Sequence, residues 1–163
     1  MILHNKIYVF IVLLVILLIS TTFSQFTLAD LIEQPHDKQV KLQTAVKEND
    51  MVLLKRLIIK SDQVNQQDDK GWTALMYAVQ LNNLEMVSRL LAAGASPNIA
   101  DKLGRTPLEL ATNAPALITI QLIQAGAELN SRNAGGISVI MIAAGQGRQD
   151  LVELLRDAGA HLD

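Results

Sequence analysis

The chain has 163 residues, 14 Lys and Arg against 16 Asp and Glu, a formal net charge of −2, and no cysteine. Without cysteine there is no disulfide, no thiolate metal site, no cysteine nucleophile and no lipid-modified cysteine anchor. The weakly acidic balance gives no footprint for a phosphate backbone, so no nucleic-acid partner is expected.

The N-terminal stretch differs from the rest. Met1 to Lys6 is short and ends in a cation, Ile7 to Ile19 is an unbroken apolar run of 13 residues, and Ser20 to Ala29 is more polar with small residues. That three-part layout predicts a secretory signal peptide over residues 1–29. Thr27 and Ala29 suit cleavage before Asp30, and Thr22 and Ser24 offer a second site before Gln25. The alternative is an uncleaved anchor in an inner membrane, although a spanning helix wants about 20 apolar residues. Either way the rest of the chain is expected outside the cytoplasm, with the periplasm as the leading compartment. Residues 30–36 read as a linker.

Beyond the linker the sequence repeats itself. Asp68-Asp69-Lys70-Gly71-Trp72-Thr73-Ala74-Leu75 is echoed by Asp101-Lys102-Leu103-Gly104-Arg105-Thr106-Pro107-Leu108, with the glycines 33 residues apart. A weaker copy, Asn133-Ala134-Gly135-Gly136-Ile137-Ser138-Val139-Ile140, begins 32 residues later. A second landmark keeps the same rhythm at Leu90 to Ala95, Leu122 to Ala127 and Leu154 to Ala160. Stepping back from Asn98 and Ala78 reaches Asn65 and Ala45, which places a degenerate first copy over 37–67. The others cover 68–100, 101–132 and 133–163.

These residues resemble the ankyrin repeat, in its length and in the signature best preserved as Thr106-Pro107-Leu108-Glu109-Leu110-Ala111. The resemblance implies an all-α solenoid of stacked helix-turn-helix units with short β-hairpin-like fingers between them. The residue chemistry agrees. Thr73, Thr106 and Ser138 are placed to cap helix starts, and Pro107 suits a first helical position. Asn49, Asn82 and Gly147 fall between paired helices, where positive φ is expected, and Gly94, Gly126 and Gly159 suit left-handed helix ends. Leu84, Val87, Leu90 and Leu91 have the spacing of one buried stripe, repeated in Leu151, Leu154 and Leu155.

Several departures stand out. Met76, Glu109 and Met141 replace the signature histidine, so its hydrogen-bond network is expected to be absent. The third copy is one residue short and carries Pro115, which predicts a distorted turn or shortened helix. The first copy lacks the capping glycine, having Ser61 and Asp62 instead, and its Lys47, Glu48, Lys55, Arg56 and Lys60 suit a water-facing cap. At the other end, Leu151, Val152 and Leu155 either pack inward or leave an apolar surface for a contact or a dimer.

The family resemblance implies partner binding at the finger tips and along the inward-facing first helices, a concave face. Carried over position by position, the candidates are Asp69, Lys70 and Trp72, then Lys102, Leu103 and Arg105, then Ile137 on the fingers. On the helices they are Gln80, Leu81 and Gln146. Trp72, Leu81, Leu103 and Ile137 would form an apolar stripe flanked by Lys70, Lys102 and Arg105, and grouped exposed apolar residues suggest a contact site. Against this, Trp72 can pack on its own hairpin and loops tolerate single apolar residues.

No catalytic constellation is evident. His36 and His161 lie near opposite ends of the repeat array, so no metal site is expected, and no cofactor motif occurs. The paired carboxylates Asp101 and Glu109 are accounted for by a finger start and a helix start. The expectation is a non-catalytic exported module, monomeric or homodimeric, that holds a protein partner. The alternative is a tethered or self-associating structural element.

Overall fold

The computed structural model describes residues 42–60 and 63–161, with the side chains of residues 59 and 60 excepted. The apolar run, both cleavage sites, His36 and the Ser61-Asp62 pair lie outside the described residues. No helix among the described residues is long and apolar enough to cross a membrane.

From Leu42 onward the chain folds as successive helix pairs: α1 (Leu42–Lys47) with α2 (Met51–Lys60), α3 (Ala74–Gln80) with α4 (Leu84–Ala92), α5 (Pro107–Leu110) with α6 (Ala116–Gln124), and α7 (Val139–Gly145) with α8 (Gln149–Asp157). The first helices stack on one another in the order α1, α3, α5, α7, and α4 packs on α6 in the outer row. No strand occurs among the described residues, where the pairing outside helices is one isolated bridge between Arg132 and Ser138. The expected all-α fold is therefore present, with fingers built from turns.

The stack exists because each pair leaves one face unburied. Ala74, Leu75, Met76, Ala78 and Val79 of α3 are all essentially sealed between its own partner and both neighbouring inner helices, while Gln80 is exposed. Its outer partner α4 buries Met86, Val87 and Leu90, while Leu84 is exposed and Leu91 half-buried. The expected stripe is thus rotated: Met86 holds the place given to Leu84. Asn83 is the cap of this helix, accepting from the Met86 N–H at 3.1 Å, so Leu84 is the first helical residue and projects at its open end. Burial of each large aliphatic side chain contributes about 1.5–3 kcal/mol, and the core from Val46 through Leu155 repeats this in every pair.

Caps follow the sequence only in part. Thr73 accepts from the Met76 N–H at 3.3 Å and Thr106 from the Glu109 N–H at 3.4 Å. Ser138 makes no side-chain cap bond, and its buried hydroxyl has no partner. Between paired helices Asn49, Asn82 and Gly147 adopt φ of 54°, 55° and 71°. In the third copy α5 is four residues long and tightens into a 3-10 turn over Ala111–Asn113 before Pro115. Pro115 lacks a donor and disfavours helix at the preceding residue, which explains the early stop.

Leu151, Val152 and Leu155 are buried, so the C-terminal helix turns its apolar stripe inward. The outer loops are joined by an asparagine ladder that follows the repeat. Asn65 accepts from the Ser96 N–H and donates to the Gly94 carbonyl, at 2.7 and 3.2 Å. Asn98 does the same one repeat later, to Glu128 N–H and Gly126 carbonyl, at 2.8 and 3.0 Å. Asn130 accepts from the His161 N–H at 3.1 Å. Each side chain satisfies loop groups on the next repeat that would otherwise be left to solvent.

Candidate functional site

Three fingers are built on one plan. In Asp68–Trp72, Asp101–Arg105 and Asn133–Ile137 the first residue's N–H donates to the last residue's carbonyl, at 2.9, 3.0 and 3.1 Å. The first residue's Oδ1 also accepts from two finger N–H groups: Lys70 and Trp72, then Leu103 and Arg105, then Gly135 and Ile137. One short acceptor thus holds each loop closed. Neighbouring fingers are tied by main chain, Lys102 N–H to the Lys70 carbonyl at 3.3 Å and Ala134 N–H to the Leu103 carbonyl at 3.0 Å.

The finger glycines are fixed by this proximity. Gly71 and Gly104 have φ of 79° and 76°. A Cβ on Gly71 would lie 2.9 Å from the Lys102 nitrogen, and one on Gly104 would lie 2.8 Å from the Ala134 nitrogen. Both the left-handed backbone and the approach of the next finger therefore call for glycine.

The remaining oxygens fasten fingers to the inner helices. Asp68 Oδ2 accepts from the Tyr77 hydroxyl at 2.6 Å and pairs with the Lys47 ammonium at 3.5 Å. Burial pushes the Asp68 carboxyl upward, but bonds from Tyr77, Trp72 and Lys70 and the charge of Lys47 outweigh it and hold the pKa at about 2. Asp101 Oδ2 accepts from the Trp72 indole at 3.1 Å and from two nitrogens of Arg105, at 2.9 and 2.7 Å. Burial likewise raises Asp101, and the Arg105 side chain, with the Arg105 and Leu103 N–H groups, brings it below the ordinary carboxylate range. In the Asn133–Ile137 finger an amide replaces the acid, and Asn133 donates to Glu109 Oε1 at 3.0 Å. Glu109 therefore restores a link between repeats at a position where the sequence predicted none. Burial raises its pKa, with the Asn133 bond and the Arg105 charge opposing the shift and Asp101 reinforcing it.

The predicted contact residues separate on this frame. Trp72 is only 8% exposed, its ring 4.8 Å from that of Tyr77, with the Arg105 guanidinium 5.7 Å from its centroid. It belongs to the joint between two fingers and not to an open stripe, because its indole N–H finds a buried carboxylate one repeat away. Leu81, Leu103 and Ile137 are 46%, 57% and 44% exposed. Asp69, Lys70, Trp72, Gln80, Lys102, Leu103 and Arg105 line one open cleft of about 470 Å³. A neighbouring cleft of about 540 Å³ takes in Leu81 with Gln43, Lys47 and Tyr77. Ile137 and Gln146 line neither of these two clefts. The Gln146 amide instead reaches back to Thr112 and Asn113, at 3.4 and 3.3 Å.

Sequence reasoning passed over Tyr77, which lines both clefts, and Asp68, to which its hydroxyl donates from the inner helix to the Asp68–Trp72 finger. The signal for Asp68 was its alignment with Asp101. Tyr77 has no counterpart in the other copies, since Leu110 and Ile142 occupy its place. Among the described residues no cluster of His, Asp and Glu is arranged to hold a metal ion.

Residues 42–133 match the family model for ankyrin repeats in three copies. The chain belongs to the ankyrin-repeat family. It is 40% identical over 78 residues to YahD of Escherichia coli (strain K12), a stretch that is 44% of this chain and 39% of that protein. It is 41% identical over 69 residues to the human mitochondrial disaggregase, covering 42% of this chain and 10% of the relative. Against the neurogenic locus notch homolog protein 1 of Xenopus tropicalis it is 33% identical over 101 residues, 61% of this chain and 4% of that one. The chain thus matches under half the length of these relatives. Ankyrin repeats are in general protein–protein interaction modules and not catalysts.

Proposed function

We propose that this ankyrin chain is an exported, non-catalytic module that holds a client protein against its fingers and inner helices. The observation that carries this reading is the exposure of Leu81 and Leu103 at two open clefts, with Ile137 exposed on the next finger, on a face whose fingers are already tied to one another by main-chain bonds. A rigid face of this kind loses little conformational entropy on binding, which leaves more of the contact energy for the partner. The apolar N-terminal run supports export, with the periplasm as the compartment. The burial of Leu151, Val152 and Leu155 argues against self-association through the C-terminal helix.

The test replaces Leu81, Leu103 and Ile137 together by alanine and leaves Trp72 intact, because Trp72 belongs to the finger joint. Crosslinked capture from the exported fraction should recover a client with the wild-type chain and lose it with the variant, at equal helical content. Undiminished capture by a folded triple variant would remove the finger face from consideration. Sequencing the N-terminus of the exported protein should find Asp30 or Gln25, and an intact Met1 would favour tethering.

A further inference from the structure

The two clefts carry a charge pattern that the whole chain does not. Their acidic residues Asp68 and Asp101 are spent internally, each accepting several bonds from its own finger and from Tyr77 or Trp72. Arg105 is spent on Asp101. Lys70 and Lys102 are different: both are exposed, and among the described residues neither ammonium has a carboxylate partner. They stand on adjacent finger tips joined by the Lys102 N–H to Lys70 carbonyl bond. Leu103 is next to them, and Leu81 lies at the end of α3 beside the adjoining cleft.

The face thus presents two uncommitted cations beside exposed leucines, while Asp69 is the one lining acid without a hydrogen bond or ion pair among the described residues. Counter-charged groups on a partner would complete both ammoniums, and an apolar side chain would cover the leucines. An acidic protein segment meets both needs, and a basic one would set like charges against Lys70 and Lys102. We infer that the ankyrin face between the Asp68–Trp72 and Asp101–Arg105 fingers selects a partner segment in which Asp or Glu side chains flank an apolar residue. This rests on the finger-face reading above and adds the chemical class of the partner.

A random-peptide display library, selected on the protein as its cell produces it, tests the inference. The selected pool should be enriched in acidic residues around a Leu, Ile or Phe. A peptide from that pool should bind about tenfold more weakly to the Lys70→Glu/Lys102→Glu variant and should bind more weakly as salt is raised. The Lys70→Gln/Lys102→Gln variant should fall between, and Arg156→Glu, on the exposed end of α8, should behave as wild type. Melting curves for each variant confirm that it is folded. A pool without acidic enrichment, no enrichment at all, or a pool indifferent to both lysine variants would overturn the acidic class. Loss with Leu81→Ala/Leu103→Ala but not with the lysine variants would keep the face and reject the charge selection. Indifference to both sets would reject the face as well.

Discussion

Asp68 and Asp101 show how one residue type closes a finger and fastens it to its neighbours. Each gives Oδ1 to the loop's own N–H groups and Oδ2 to a side chain beyond the loop. Because both carboxyls titrate below their ordinary value in the fold, their contribution to stability is complete above the unfolded pKa and is lost as pH falls through the folded one. For Asp68 that window runs from about pH 4 down to about pH 2. Glu109 works in the opposite sense: its pKa is raised, so protonation relieves the fold and stability rises as pH falls through that value. Thermal melting against pH should therefore fall steeply below about pH 4, and Asp68→Asn should flatten that fall. A midpoint constant from pH 4 to pH 2, or an equally steep fall in the variant, would contradict the assignment.

Among the elements, the fingers and the helix ends use glycine for different reasons, and this separates two costs. Gly94 has φ of 88° with nothing near a would-be Cβ, so Gly94→Ala meets backbone strain alone, about 1–2 kcal/mol. Gly104→Ala meets comparable strain and also a main-chain atom of the next finger at 2.8 Å. It should cost more than Gly94→Ala by at least about 1 kcal/mol, read by denaturant unfolding. Equal costs would mean that the fingers are not held together as described.

The helix pairs, their left-handed turns and the shortened third copy were legible in the sequence because they rest on local chemistry repeated at a fixed period. Pro115 announced its distortion in the same way. What was not legible depends on partners far along the chain. Trp72 leaves the surface because Asp101, 29 residues on, accepts its indole proton. Glu109 gains a role from Asn133, 24 residues on. The stripe of α4 was misjudged by its capping, since Asn83 sets which residues face inward. The asparagines at 65 and 98 were visible as a recurrence, but Asn130 as a third member, and their bridging of successive loops, appear only in three dimensions.

At the scale of the molecule, one row of finger tips and inner helices bears exposed leucines beside uncommitted lysines, while the outer helices expose Val52, Leu84 and Leu117 among the ion pairs Glu85–Arg89 and Arg148–Asp150. Outer pairs of this exposed kind contribute little to stability. The central claim is that the partner meets the finger row. The most direct measurement is site-specific photocrosslinking in living cells, with a photoreactive side chain at Leu81, Leu103 or Ile137 and, separately, at Glu153 or Arg156 on α8. The account predicts adducts with one partner from the finger-face positions and none from α8. Adducts from α8, with the finger-face positions silent, would contradict it.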